Sequence, residues 1–420
     1  MSTTVRVSCP AGTVVGLSDG DVTRFHSIPY SDIPGDFANA TRLAPQELID
    51  ATTYRPETIA LTVFTPTGAR PLADLPVVVY IHGGRFEYGT HGDRRADGTP
   101  NALADVVTVH IGYRVKLAGF ARFHDDEPNR YRGIDDCQLG LEWVQRNIES
   151  FGGDPTNVTL VGQSAGATTA LWLARRDHYR GGFRRILAMS PCFPRASFGE
   201  RKASLRMAIG KPVTRDALAR VSPKTLDRGY NRFRTIHGMD MALGPSPLEP
   251  QEQADIPLWI TSTREEFYHM PAGQKADSLR WREGIARRMS RRMGMSGSFN
   301  TWLEHARMMD PQRIVGRLIG DASNRRWVSQ AAEEAPGKVW MTEFVRTRGP
   351  AIHCSEIPAA FGLEHGPLHD LLLAFARGED LPWPAFSPDD SRQALRFNLD
   401  NGDAEVISDP LLMVREAFSG

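Results

Sequence analysis

The stretch Gly162-Gln163-Ser164-Ala165-Gly166 decides the fold, because its flanks predict a strand before it and a helix after it. The residues at 158–161 are short and rich in β-branched side chains, as in a buried strand, and those at 167–176 are rich in alanine and leucine. A Gly-x-Ser-x-Gly turn between strand and helix lifts a serine hydroxyl above the sheet. Side chains at the two glycines would collide with the neighbouring strand or helix. The alternative is a glycine-rich turn with an ordinary serine, so other parts of the chain must decide.

Composition limits the class of protein and its partners. The chain has 420 residues, and its 50 basic residues balance 50 acidic ones, so its charge gives no indication of nucleic-acid binding. Neither a signal segment nor an apolar run long enough to span a membrane is visible, which predicts a cytoplasmic protein without a membrane span. The cysteines are scattered without metal-ligand spacing, which predicts free thiols and no metal site. They are Cys9, Cys137, Cys192 and Cys354.

Apolar runs alternate with helical patterns along the chain, without repeats or low-complexity linkers. Strands are predicted at 77–81, 106–111, 158–161, 186–189, 257–261 and 339–345, with a helix at 134–151. The alternating run at 59–64 ends at Thr65-Pro66 and predicts an outer strand. The pattern predicts one domain over residues 1–420, with a mostly parallel sheet and helices on both faces. Ligands of such sheets bind beyond the carboxyl ends of the strands, where Ser164 is expected.

Two stretches, at about 195–250 and 267–312, fit this alternation poorly and are predicted to be cap or lid segments over that edge. Within the second, residues 280–293 carry an apolar side chain at every fourth position among six arginines, which predicts a basic amphipathic helix. The helix could be a lid that attracts acidic substrates or touches lipid. We favour a cap helix with a solvated arginine face. The apolar residues are Trp281, Ile285, Met289 and Met293.

A reactive serine also needs a base, an acid that orients the base, and donors for the oxyanion. The donors are expected in His82-Gly83-Gly84-Arg85-Phe86, directly after the strand at 77–81, together with the N–H of Ala165. The alternative for this loop is a plain turn that ends the strand.

The best candidate for the base is His353, in the loop after the strand at 339–345, with His365 and His369 as competitors. The acid is expected in Glu265-Glu266, after the strand at 257–261. The resulting order of serine, acid and histidine is that of the α/β-hydrolases.

With these residues the chain resembles the type-B carboxylesterase/lipase family. The resemblance covers most of the chain and implies an α/β-hydrolase fold with a reduced cap. It rests on the residues around Ser164 and on Phe25 to Tyr30, Tyr113 to Phe120, Phe151 to Pro155, His353 to Pro358 and Trp383 to Phe386.

The resemblance implies that Ser164 is the nucleophile, His353 the base and Glu266, rather than Glu265, the acid. It implies hydrolysis of small-molecule carboxylic esters through an acyl-enzyme, without a metal or cofactor. Two alternatives use the same fold. One is an acyltransferase or ring-closing enzyme with the same site, and the other is a binding protein without catalysis.

The resemblance also implies that the N–H groups of Gly84, Arg85 and Ala165 form the oxyanion hole, and that Gly83 and Gln163 line the substrate pocket. Three departures from the family stand out. Arg85 occupies the position of a common third glycine, Gln163 replaces the usual glutamate before the nucleophile, and residues 58–60 lack the cysteine of an early disulfide.

Overall fold

One mixed sheet organises the computed structural model, which describes residues 3–418. The strands in this range are β1 (Thr3–Cys9), β2 (Gly12–Asp19), β3 (Val22–Pro29), β4 (Ser31–Asp32), β5 (Thr41–Arg42), β6 (Gln46–Asp50), β7 (Ala60–Pro66), β8 (Leu75–Ile81), β9 (Val107–Ile111), β10 (Gly153–Gln163), β11 (Arg185–Met189), β12 (Leu258–Thr263), β13 (Val339–Val345), β14 (Gln393–Asn398) and β15 (Ala404–Ser408).

Helices follow most of the inner strands. They are α1 (Thr99–Leu103), α2 (Lys116–Phe120), α3 (Arg132–Asn147), α4 (Ala165–Leu173), α5 (Phe198–Ile209), α6 (Arg215–Ala219), α7 (Pro223–Ile236), α8 (Pro271–Asp277), α9 (Arg282–Ser290), α10 (Phe299–Met309), α11 (Ile314–Gly320), α12 (Arg326–Glu334), α13 (Ile357–Ala360), α14 (Pro367–Arg377) and α15 (Leu412–Phe418). A π turn, Asp321–Arg325, joins α11 to α12, and short 3-10 helices lie at Arg94–Ala96, Ile148–Phe151, Pro250–Glu252 and Arg291–Met293.

The sheet is parallel in its middle and antiparallel at its ends. Its order is β1-β2-β3-β7-β9-β8-β10-β11-β12-β13-β14-β15, with β6 paired to β2. All neighbours from β9 to β14 are parallel, which confirms the predicted mostly parallel sheet. The prediction of an outer strand at 59–64 is wrong. Strand β7 lies between β3 and β9 and is almost entirely buried, because the N-terminal strands extend the sheet beyond it.

Helices cover both faces of the sheet. Alternate residues of β8 enter two different apolar layers, since successive side chains of a strand point to opposite faces. Val77, Val79 and Ile81 pack in the layer that contains α3 and α4. Val78 and Tyr80 pack with α13 and α14 on the other side. A continuous apolar run is therefore required at β8.

The stretch at 280–293 forms α9 and the 3-10 turn after it. The side chains of Arg287, Arg288, Arg291 and Arg292 are exposed, in agreement with a solvated arginine face. Trp281 departs from the predicted apolar face, because it precedes α9 and is 56% exposed. None of the helices between residues 3 and 418 is long and apolar enough to cross a membrane.

Candidate active site

Ser164 lies at the tight turn between β10 and α4. Its backbone has φ 56° and ψ −119°, a conformation that a residue with a side chain rarely adopts. Neighbours on both sides enforce the turn. A Cβ at Gly162 would lie 2.3 Å from the carbonyl oxygen of Gly166, and one at Gly166 would lie 2.0 Å from that of Ile81. Both collisions agree with the sequence prediction, and together they hold the serine at the carboxyl edge of the sheet.

The loop after β8 lies directly against this turn. A Cβ at Gly83 would be 2.6 Å from the Oε1 atom of Gln163 and 3.2 Å from the Cβ of Ser164. Gly84 and Arg85 have φ values of 106° and 59°. Ala165 is the first residue of α4, so its N–H has no acceptor within the helix. The three expected oxyanion donors therefore lie on two segments that meet at Ser164, namely the loop after β8 and the start of α4.

His353 and Glu266 form a close pair at the same edge. The Nδ1 atom of His353 lies 2.5 Å from Glu266 Oε2, and the His353 backbone N–H donates to the Glu266 carbonyl at 2.8 Å. The other carboxylate oxygen accepts hydrogen bonds from Ser190 Oγ at 2.6 Å and from the Thr263 N–H at 3.0 Å. These contacts fix the orientation of the carboxylate toward the imidazole.

Glu266 and His353 each shift the pKa of the other toward the charged form. Burial alone would raise the pKa of Glu266, but His353 and the hydrogen bonds from Ser190 and Thr263 outweigh it and lower that pKa. Burial likewise lowers the pKa of His353, but Cys354 and Glu266 outweigh it and raise that pKa well above its ordinary value. The site therefore stabilises a protonated imidazole, as a general base requires after it has taken a proton.

The other side of the imidazole contacts Gln163. Its Nε2 atom lies 3.2 Å from Gln163 Nε2, so the amide donates to the ring nitrogen. Ser164 Oγ lies 3.5 Å from Cys192 Sγ. In the part of the chain that the structure describes, no hydrogen bond joins Ser164 to His353. Hydrogen bonds of this kind are often long before substrate binds and tighten in the reacting complex.

The competing candidates are engaged elsewhere. Glu265 accepts hydrogen bonds from the Ala351 N–H at 2.9 Å and from Arg264 Nε at 2.6 Å, so it holds the loop of His353 rather than the imidazole. His369 contacts the side chain of Asn101 at 2.8 Å, and His365 lies on an exposed loop. The structure therefore brings Glu266 and His353 together and leaves the other candidates apart.

Sequence reasoning missed three residues of the site. Ser190 could have been found, because it directly follows the strand predicted at 186–189 and so lies at the carboxyl edge of the sheet. No pattern in the sequence indicated Cys192 or Asn324. Asn324 lies in the π turn and donates to the Ser190 carbonyl at 2.7 Å. It thus links the turn to Ser190, whose hydroxyl donates to Glu266.

A cavity of about 490 Å³ opens beside Ser164 and His353. Side chains from both stretches that fit the alternation poorly, 195–250 and 267–312, line it. Its apolar wall consists of Phe193, Met239, Met241, Phe267, Met270, Met289, Met293 and Ile319, and its charged side chains include Arg85, Arg95 and Asp240. The cavity is therefore mainly apolar with a few charged positions.

The four cysteines are free thiols. Across residues 3–418 no group of three or more His, Cys, Asp or Glu side chains could hold a metal ion.

The serine turn at the carboxyl edge of this sheet is a feature of the α/β-hydrolase fold. A Geobacillus stearothermophilus carboxylesterase, EST55, has the same fold, with a TM-score of 0.81 at 23% identity, covering 99% of this chain and 100% of that one. A model of the carboxylesterase family matches residues 57–209. These matches agree with the predicted resemblance to the type-B carboxylesterase/lipase family.

Two bacterial relatives align over longer stretches. The para-nitrobenzyl esterase of Bacillus subtilis (strain 168) is 28% identical over a 310-residue alignment that covers 62% of this chain and 63% of that protein. The phenmedipham hydrolase of Pseudarthrobacter oxydans is 26% identical over a 391-residue alignment that covers 79% of this chain and 77% of that protein. The chain thus spans less than two thirds of the length of the Bacillus relative.

Proposed function

We propose that the protein is a serine carboxylesterase that hydrolyses small-molecule carboxylic esters through an acyl-enzyme. The observation that carries this proposal is the His353–Glu266 pair, at the same sheet edge as the Ser164 turn and the loop of Gly83 and Gly84. The match to the carboxylesterase family model and the names of the two bacterial relatives, an esterase and a hydrolase, support hydrolysis over acyl transfer or binding without catalysis.

The reaction begins when Ser164 Oγ attacks the ester carbonyl carbon and its proton passes to His353 Nε2. For this step the imidazole exchanges its contact with the Gln163 amide for one with the serine. Glu266 stabilises the resulting imidazolium. The N–H groups of Gly84, Arg85 and Ala165 donate to the oxyanion of the tetrahedral intermediate.

The intermediate collapses when the bond to the alcohol oxygen breaks and His353 gives its proton to the leaving alcohol. Water then attacks the acyl carbonyl, and His353 takes the proton of this water. A second tetrahedral intermediate breaks the bond to Ser164 Oγ, which recovers the proton and releases the carboxylic acid. Every proton in this scheme is handled by His353.

The stretches 195–250 and 267–312 are proposed to form the reduced cap of a single domain. The support is that Met239 and Met241 come from the first stretch and Met289 and Met293 from the second, and all four line the cavity beside Ser164. Thioether side chains adapt to varied apolar shapes, which suits a cap over ester substrates.

The test is the Ser164→Ala variant, assayed with 4-nitrophenyl butyrate and a fluorophosphonate probe. We expect kcat to fall by at least about 10³-fold and covalent labelling to be lost, because no other group attacks the carbonyl. The matched control is Ser262→Ala, a buried serine in β12 whose hydroxyl has no partner within residues 3–418, and it should retain turnover. Substantial turnover by Ser164→Ala, or no labelling of the unmodified protein, would contradict the proposal.

A further inference from the structure

Among residues 3–418, one arginine that lines the cavity beside Ser164 has no carboxylate partner. Arg95 is bound by Asp93 through two hydrogen bonds of 3.0 and 2.7 Å. The carboxylate of Asp240 is paired with Arg201 and lies 3.6 Å from Arg195.

Arg85 forms no ion pair with any residue from 3 to 418, and its Nη2 atom donates only to the Asp240 backbone carbonyl, at 3.3 Å. One positive charge of the cavity therefore remains uncompensated.

The guanidinium of Arg85 also has unused donors. The side chain is half-buried, and its Nε atom is buried with no hydrogen-bond partner among the described residues. A guanidinium carries five N–H donors, and buried donors in folded proteins are nearly always paired. A ligand can therefore supply the acceptor that the Arg85 guanidinium lacks.

Arg85 is close to the reacting serine. Its loop lies against Ser164, and it lines the same cavity as His353. Burial raises the pKa of Cys192, while its contact with Ser164 and the charges of His353 and Arg85 oppose that rise. Cys192 Sγ lies 3.5 Å from Ser164 Oγ, so the charge that acts on Cys192 also acts on an ester bound at Ser164.

We propose, on the basis of the esterase function proposed above, that Arg85 binds a free carboxylate of the substrate. The preferred substrates are then esters with an apolar body and one carboxylate. The apolar body fits the methionine and phenylalanine wall, and the planar guanidinium matches a carboxylate with two parallel hydrogen bonds. The arginine occupies a position where the family commonly has glycine, so this preference would distinguish the chain from relatives with glycine there.

The substrate carboxylate can lie on either side of the ester bond, and matched pairs of esters separate the two cases. For the acyl side, mono-4-nitrophenyl glutarate is compared with 4-nitrophenyl pentanoate. For the alcohol side, 4-acetoxybenzoate is compared with 4-tolyl acetate. The measured quantity is the ratio of kcat/KM for the charged ester to that for the neutral one. Because the Arg85 N–H is also a proposed oxyanion donor, losses common to both esters cancel in this ratio.

In Arg85→Gln we expect this ratio to fall by at least about tenfold for one pair, because a charge-assisted hydrogen bond is lost. In Arg85→Lys part of the preference should return, since the charge is kept and the two-pronged geometry is not. The control Arg95→Gln removes a charge that is already paired, and its ratio should change by less than about threefold. Glutarate should inhibit wild-type turnover of 4-nitrophenyl pentanoate competitively and inhibit Arg85→Gln more weakly.

An unchanged ratio in Arg85→Gln for both pairs would overturn the carboxylate proposal, as would an equal fall in Arg95→Gln. Turnover of the neutral esters and fluorophosphonate labelling would persist in that case, so the esterase proposal would stand. Absence of turnover of all four esters together with absence of labelling would overturn both proposals.

Discussion

At the scale of single residues, two adjacent carboxylates have different partners. Glu266 faces the imidazole of His353, whereas Glu265 accepts the Ala351 N–H and fixes the loop that carries the histidine. Only the first can stabilise a positive charge on His353 by direct contact. The second contributes to stability through backbone hydrogen bonding.

We predict that Glu266→Gln lowers kcat/KM by about 10²- to 10⁴-fold, because the amide stabilises the imidazolium poorly. It should also move the acidic limb of the pH profile to lower pH. His353 must be neutral to act as a base, and removal of Glu266 removes one cause of its raised pKa. The assay is kcat/KM for 4-nitrophenyl butyrate between pH 5 and pH 9.

The matched variant is Glu265→Gln, which should lose less than about tenfold in kcat/KM and leave the acidic limb in place, since its carboxylate does not touch the imidazole. Its main effect should be a lower Tm. The opposite ranking of the two variants would assign the acid to Glu265.

Sequence alone could propose Ser164 and His353 from a motif and the order of the residues, whereas the choice of Glu266 over Glu265 came from the family resemblance. Their proximity follows from the rule that parallel strands end at one edge. It could not give the contact of Gln163 with His353 or that of Cys192 with Ser164. Those contacts depend on side-chain orientation and on a loop after β11 that no local pattern describes.

At the scale of elements, strand β8 and helix α4 approach so closely that only glycine fits between them. A Cβ at Gly166 would lie 2.0 Å from the Ile81 carbonyl oxygen, a backbone atom that cannot rotate away. The position of the serine above the sheet therefore depends on this contact.

We expect Gly166→Ala to lower Tm by several degrees and to reduce esterase activity, because α4 must move away from β8. The control is Gly284→Ala in α9, where a Cβ would meet nothing within 4 Å. Alanine should raise Tm slightly there, since it favours a helix. Thermal unfolding followed by circular dichroism measures both variants, and equal Tm values for the two would show that the close approach is not required.

The sequence predicted best the strands that are buried on both faces, because this burial leaves a recognisable run of apolar residues. Strands covered on both faces, such as β8 and β11, contain apolar runs that can be recognised without knowledge of their neighbours. The place of β7 was predicted wrongly, because its order in the sheet depends on pairing with β3, a segment more than thirty residues earlier. Local alternation carries no information about such pairing.

At the scale of the whole molecule, a buried carboxyl influences stability. Glu356 is fully buried, and neither of its oxygens has a side-chain hydrogen-bond partner within the described range 3–418. Burial, with a smaller contribution from Glu266, raises its pKa from 4.5 to about 7. The folded state therefore binds this proton more tightly than the unfolded state does.

We predict that Glu356→Gln stabilises the protein relative to the wild type at pH 8 but much less at pH 4.5. A carboxyl with a raised folded-state pKa contributes its full stability below pH 4.5 and loses it as the pH rises through about 7. Glutamine has no such loss. The difference in Tm between variant and wild type should therefore grow by about 2 °C or more across this range. A difference that shrinks with pH would contradict the assignment.

The overall architecture could be predicted because two apolar layers leave a strong periodic signal in the sequence. The proposed cap was predicted mainly as a departure from that signal. Its helices, among them α5 and α7, pack against each other through tertiary contacts that no local pattern specifies, so their arrangement over the cavity required the structure.

The π turn at Asp321–Arg325 restricts insertions and deletions in this part of the chain. Each residue of a regular helix rotates the following side chains by about 100°, so deletion of one residue from the turn would rotate α11 relative to α12. Asn324 could not then reach the Ser190 carbonyl while Arg325 kept its contact with Glu343. Changes in length among homologues should therefore accumulate in surface loops and avoid these five positions.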